Sequence, residues 1–136
     1  MTPSTPRGTR ISHIGIAVEA LTRSLPFYRD VLELDEVALD DADGAIIAGF
    51  SAGEAVVELL EADEPKSPIG RFVANRGPGI HHICFSVDDL DATLERCRRA
   101  GIELIDEEPR IGAEGKRIAF LHPKSTGGVL VELSDH

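Results

Sequence analysis

A chain of 136 residues suffices for one domain, and its 42% apolar content, with only 4% aromatics and no tryptophan, points to a core of aliphatic side chains. The formal net charge of −10 excludes a general nucleic-acid-binding surface, which needs excess positive charge. No apolar run approaches the ~20 residues that a membrane-spanning helix needs, so no membrane partner is expected.

Residues 1–10 are rich in Pro, Thr, Ser and Gly and read as a flexible N-terminus ahead of a single domain spanning 11–136. No hydrophobic region follows their basic residues, so they do not read as a signal peptide, and a cytoplasmic protein is expected. Cys84 and Cys97 fall on an expected strand and helix and read as reduced core residues.

The first strand, 11–18, alternates: Ile14, Ile16 and Val18 face one way, and His13, Gly15 and Ala17 the other. Leu21, Leu25, Tyr28 and Leu32 then recur at a helical period, with Pro26 predicting a kink or a late helix start. Strands near 34–40, 44–50 and 54–61 follow, separated by acidic and glycine-containing turns. Ser67-Pro68 opens a short helix running to about Asn75, and Gly77-Pro78-Gly79 closes it. A second strand-helix pair covers 80–87 and 89–100, with Leu90, Leu94 and Cys97 on one helix face and Gly101 as the stop. Strands near 102–106, 117–122 and 129–134 complete the chain, around a long loop from Glu107 to Lys116. The order is that of two βαβββ modules, about 11–62 and 80–134, joined by a helical linker at 63–79. The fold class is α+β, with the modules forming one cupped mixed sheet.

The two modules repeat in their residues as well. Aligning Ile11–Val18 with Ile80–Val87 places His82 over His13. The last strands carry Val57-Glu58-Leu59 and Val131-Glu132-Leu133, so each module offers a His on its first strand and a Glu on its last. Strand parity groups His13 with Gly15 and Ala17, and His82 with Cys84 and Ser86, so small neighbours leave room around both rings. Unpaired carboxylates directed into such a cup would be costly to keep ionised. A divalent cation removes that cost, and two imidazoles with two carboxylates suit Co2+, Zn2+, Mn2+, Fe2+ or Ni2+. The expected ligands of one ion per chain are therefore His13, Glu58, His82 and Glu132. His81 has the opposite parity and reads as packing or as support for a ligand. His122 is a weaker candidate for the cup lining, and terminal His136 reads as idle.

The paired modules with these histidines and glutamates resemble the vicinal-oxygen-chelate superfamily and, within it, the methylmalonyl-CoA epimerases. Further resemblance lies in Ser67-Pro68-Ile69, in Asp106-Glu107-Glu108-Pro109-Arg110 and, above all, in the block from Phe120-Leu121-His122-Pro123-Lys124 to Leu133. It implies the fold of that superfamily, a homodimer, and interconversion of the (2R) and (2S) epimers of methylmalonyl-CoA by proton transfer at C2 through an enolate that the metal stabilises. The third strand, Gly44 to Phe50, lacks the carboxylate that serves some members as a base, and Glu58 stands where some carry Gln. Glu58 and Glu132 are accordingly expected as the catalytic acid/base pair on opposite faces of C2. In so acidic a chain the anionic CoA should meet the late basic residues Lys116, Arg117 and Lys124 and the Ser125-Thr126-Gly127-Gly128 turn, with Lys124 or Ser125 on the substrate carboxylate. The same scaffold also serves glyoxalase I-type enzymes acting on a glutathione hemithioacetal, metal-dependent dioxygenases and small-molecule binding proteins, which remain the alternative readings.

Overall fold

The computed structural model describes residues 8–136; residues 1–7, most of the N-terminal segment expected to be flexible, lie outside it. Eight strands form one sheet in the order β2-β3-β4-β1-β5-β8-β7-β6. The strands are β1 (Arg10–Val18), β2 (Asp35–Val37), β3 (Ala45–Ala52), β4 (Ala55–Ala62), β5 (Gly79–Val87), β6 (Arg110–Ile111), β7 (Arg117–Leu121) and β8 (Val131–Asp135). The order is symmetric about its centre. β1 pairs antiparallel with β5, and each pairs parallel with the last strand of its own half, β4 or β8. The two βαβββ units of the sequence are therefore the two halves of the sheet.

Alternation along the central strands sets the two faces. His13, Gly15, Ala17 and His82, Cys84, Ser86 carry one face, and Ile14, Ile16 and Ile83, Phe85 the other. On the outer face α1 (Leu21–Leu25) covers Val18, Phe50 and Leu59. In the second half α3 (Leu90–Arg99) covers Val87, Ala119, Leu121 and Leu133. Leu90 and Leu94 of α3 are each 1% exposed, so truncating either to Ala should cost about 2–5 kcal/mol. Asp89 caps α3 by accepting from the Ala92 amide at 3.0 Å. The third helix, α2 (Pro68–Arg76), lies on the inner face and packs Ile69, Phe72 and Val73 against Ala17, Ala45 and Leu60. Ser67 caps it and Pro68 occupies its first turn, as the sequence predicts.

Three local expectations change. The helix predicted over 21–32 runs as α only to Leu25 and continues as a π-helical turn from Pro26 to Val31, since proline lacks the amide that would continue the α pattern. The strand predicted near 102–106 reduces to one bridge, Leu104 to Leu121. Its apolar pattern comes from burial of Leu104 beneath α3, and β6 takes the edge position instead. His136 is held in place: its Nε2 lies 2.6 Å from Asp88 Oδ1, and its Nδ1 contacts Ser86 Oγ.

Candidate metal centre

The four residues matched across the repeat meet on the inner face. β1 and β5 bring His13 and His82 side by side, while β4 and β8 deliver Glu58 and Glu132 from the adjoining positions, opposite Gly15 and Cys84 respectively. All four are at most 5% exposed. His13 Nε2 lies 3.1 Å from His82 Nε2 and 2.9 Å from Glu132 Oε1, and His82 Nε2 lies 3.1 Å from that same oxygen. Ligands at about 2.1 Å from an ion and at right angles to one another are about 3.0 Å apart, which is the spacing of this triangle. Glu58 approaches from the other edge of His13, its Oε2 3.5 Å from Nδ1. One nitrogen of each histidine and one oxygen of Glu58 fit within 4.8 Å of each other.

Room for the rings is built into the backbone. A Cβ at Gly15 would sit 2.2 Å from His82 Cε1, so only glycine leaves the His82 ring its place. A slip of register between Gly15 and Ile16 interrupts the alternation beside His82. His81, which parity alone would send to the outer face, thereby reaches the inner one. Its Nδ1 lies 3.0 Å from His82 Nδ1, and its ring packs edge-on against Phe72 at 5.0 Å. It therefore packs against α2 and contacts His82.

Glu114, from the long loop, was not foreseen. Its Oε2 lies 2.9 Å from His13 Nδ1, on the side of the ring away from Glu132. Nothing in the sequence distinguishes it from other acidic loop residues. Glu58 Oε2 is buried without an aligned hydrogen bond among the described residues. A carboxylate oxygen so placed beside two imidazoles is what a divalent cation would satisfy, and the donor set fits one.

The electrostatics diverge sharply between neighbours. Burial pushes the Glu58 carboxyl up, outweighing the attraction of His13, and with the charges of Glu132 and Glu114 it brings the pKa to about 8. Burial works the same way on Glu132, but the hydrogen bonds and charges of His13 and His82 prevail and hold it down at about 2. For His13, burial opposes the charged form, yet Cys84, Glu114, Glu132 and Glu58 together drive it up to about 12. His81 is pushed down to about 4, by burial and then by His82.

A cavity of about 250 Å³ opens onto His13, Glu58, His82 and Glu132. Its other walls are largely apolar, including Ala45, Ile47, Leu60, Ile69 and Phe120, with Arg110 and Asp43 at one side. Arg110 pairs with Asp43 at 2.6 Å and Asp106 at 3.0 Å and lies over the Phe120 ring. The residues expected to meet substrate lie elsewhere. Lys124 pairs with Glu103 at 2.8 Å, Ser125 Oγ accepts from the Glu103 amide, and Thr126 donates to the Val129 carbonyl. Gly127 sits in the same turn at φ 78°. Lys116 lines a small pocket behind His13 that also touches Glu114. His122 accepts from the Lys124 amide at 3.1 Å and does not line the cavity.

A cupped sheet of paired βαβββ modules with His and Glu turned inward from both halves defines the vicinal-oxygen-chelate class. Residues 10–133 match the family model of the Glyoxalase/Bleomycin resistance protein/Dioxygenase superfamily. The mitochondrial methylmalonyl-CoA epimerase of Mus musculus is 39% identical over 127 residues, covering 91% of this chain and 71% of that protein. The ethylmalonyl-CoA/methylmalonyl-CoA epimerase of Cereibacter sphaeroides is 38% identical over 128 residues, covering 91% of this chain and 96% of that one. A solved structure of a methylmalonyl-CoA epimerase in complex with methylmalonyl-CoA and NH4+ superposes with a TM-score of 0.89 at 36% identity, over 94% of each chain. The chain belongs to that superfamily and, within it, to the methylmalonyl-CoA epimerases, which makes it an enzyme of the isomerase class.

Proposed function

We propose that the protein interconverts the (2R) and (2S) epimers of methylmalonyl-CoA in this cup, with His13, Glu58, His82 and Glu132 holding one divalent cation, Co2+ first and Zn2+, Mn2+ or Ni2+ as alternatives. The observation that carries this reading is the buried quartet on the cavity wall, with an orphaned oxygen on Glu58, in a chain 38–39% identical to epimerases of this substrate. A divalent cation bound there supplies Lewis acidity, which lowers the cost of the charge that gathers on the thioester oxygen when C2 loses its proton. The chain itself supplies the proton transfers. Glu132 and Glu58 exchange protons with C2 from opposite faces, one accepting as a carboxylate while the other donates as a carboxylic acid, and the roles exchange for the reverse direction. The apolar walls formed by Ala45, Ile47, Leu60 and Ile69 suit the substrate methyl group and exclude water from the carbanion. Arg110 also lines this cavity, paired with Asp43 and Asp106.

Homodimerisation belongs to the same reading and is supported by the apolar side chains Phe27, Val31 and Leu32, exposed at 50%, 68% and 48%. The test of function is turnover of a single epimer. Metal-loaded protein should carry pure (2S)-methylmalonyl-CoA to a mixture of both epimers, read by chiral chromatography of the hydrolysed acid. An unchanged single epimer would overturn the proposal.

A further inference from the structure

The two histidines of the centre both turn Nε2 to the shared Glu132 oxygen, which leaves Nδ1 on the far side of each ring. The partners at those far nitrogens differ. His13 Nδ1 meets the Glu114 carboxylate at 2.9 Å, whereas His82 Nδ1 meets a second imidazole, His81 Nδ1, at 3.0 Å. Two ring nitrogens at that distance share one hydrogen, so one donates and the other accepts. For His82 Nε2 to take a cation it must be bare, so the His82 proton stands on Nδ1 and His81 Nδ1 is the acceptor. His81 is then a neutral ring with its own proton on Nε2.

Backbone and helix both hold this contact in place. The register slip between Gly15 and Ile16 turns His81 to the inner face, where its ring meets that of His82 at 90° with centroids 5.2 Å apart. Phe72 of α2 packs edge-on against His81 at 5.0 Å and is itself covered by the Arg76 guanidinium at 5.7 Å. The helix thus reaches the centre through Phe72 and His81. A neutral acceptor also suits the chemistry. Glu58, Glu132 and Glu114 already stand around His13, and a further carboxylate behind His82 would offset more of the charge by which a cation acts as a Lewis acid. We infer that His81 is the positioning residue of His82: it accepts the Nδ1 proton, fixes the tautomer that leaves Nε2 free for a cation, and orients the ring without adding charge. The inference rests on the reading of the quartet as a cation site.

Two measurements test it, with Zn2+ as the diamagnetic probe. NMR of wild-type protein carrying isotope-labelled histidine reads the ring tautomers in the Zn2+-loaded state. His81 should carry its proton on Nε2 and His82 on Nδ1; a His81 proton on Nδ1 would overturn the inference. Chelator competition then measures what the contact contributes. His81→Phe keeps an aromatic ring against Phe72 but removes the acceptor, and should weaken Zn2+ about 10–100-fold. His81→Asn sets a carboxamide oxygen where Nδ1 stood and should recover part of that loss, although it lacks the ring; a packing defect would show the opposite order. Zn2+ affinity within twofold of wild type in His81→Phe, or His81→Asn no better than His81→Phe, would overturn the inference and leave the cation site standing. Wild-type protein that takes up no Zn2+ removes the cation site and the inference together. Single-epimer turnover reports on the reaction independently: a Zn2+ centre that depends on His81 in a protein that leaves the epimer intact sinks the reaction alone.

Discussion

Replacing Glu58 by Gln separates its two proposed roles. The amide oxygen can still face a cation, so metal content should survive, whereas proton transfer cannot. Glu58 is 2% exposed on the wall of the cavity. A carboxyl that acts as a general acid or base typically contributes about 10²–10⁴ in rate. Inversion by Glu58→Gln should therefore fall by roughly two to four orders of magnitude. The two faces of C2 should also become unequal: solvent deuterium should still enter from the epimer whose proton faces Glu132 and should be lost from the other. The assay is deuterium incorporation into each pure epimer, followed by NMR, with metal content measured in the same samples. The variant should in addition raise the stability of metal-stripped protein above about pH 8, where wild type must keep a buried carboxylate ionised. Undiminished exchange from both epimers would refute Glu58 as an acid/base while leaving the metal site standing.

Other predictions concern the site's assembly. In metal-stripped protein the raised pKa values of Glu58 and His13 contribute stability that is present at low pH. It is lost as pH rises, for Glu58 from its unfolded value of 4.5 towards about 8 and for His13 from 6.5 towards about 12. Glu132 acts in the opposite sense, its contribution being lost as pH falls from 4.5 towards about 2. The melting temperature of stripped protein should thus decline between about pH 5 and pH 8. Metal binding near pH 7 should release about two protons and strengthen with pH, and a flat affinity profile would contradict the assignment. Glu114→Gln removes the carboxylate beside His13 Nδ1 and should weaken metal binding about 10–100-fold in chelator competition, with the fold unchanged by circular dichroism. Gly15→Ala places a methyl group on the His82 ring and should weaken metal binding by at least as much. Wild-type affinity in that variant would mean that His82 binds no ion.

The quartet was legible because strand alternation and an internal repeat are both properties of sequence: His13 and His82, and Glu58 and Glu132, share parity and position. The face that His81 takes was not, since a slip of one pairing beside Gly15 is a three-dimensional event that leaves no mark on the alternation. Nor was Glu114, because a loop has no period from which to read a direction. The surroundings of the basic residues were not legible either. A cation's availability depends on whether an acid lies beside it, and the partners of Lys124 and Arg117, namely Glu103 and Asp91, are brought in by folding. The helical kink at Pro26 could be read from the residue itself; the apolar run near 102–106 could not, because burial beneath a helix and pairing in a sheet favour the same side chains.

The central claim is that a cation held by two histidines and two glutamates enables proton exchange at C2. NMR of methylmalonyl-CoA in D2O, with metal-loaded and metal-stripped protein side by side, tests it most directly. Loss of the C2 proton signal only in the loaded sample, from both epimers, is the predicted result. Exchange that is absent from both samples, or equally fast in both, would contradict the account.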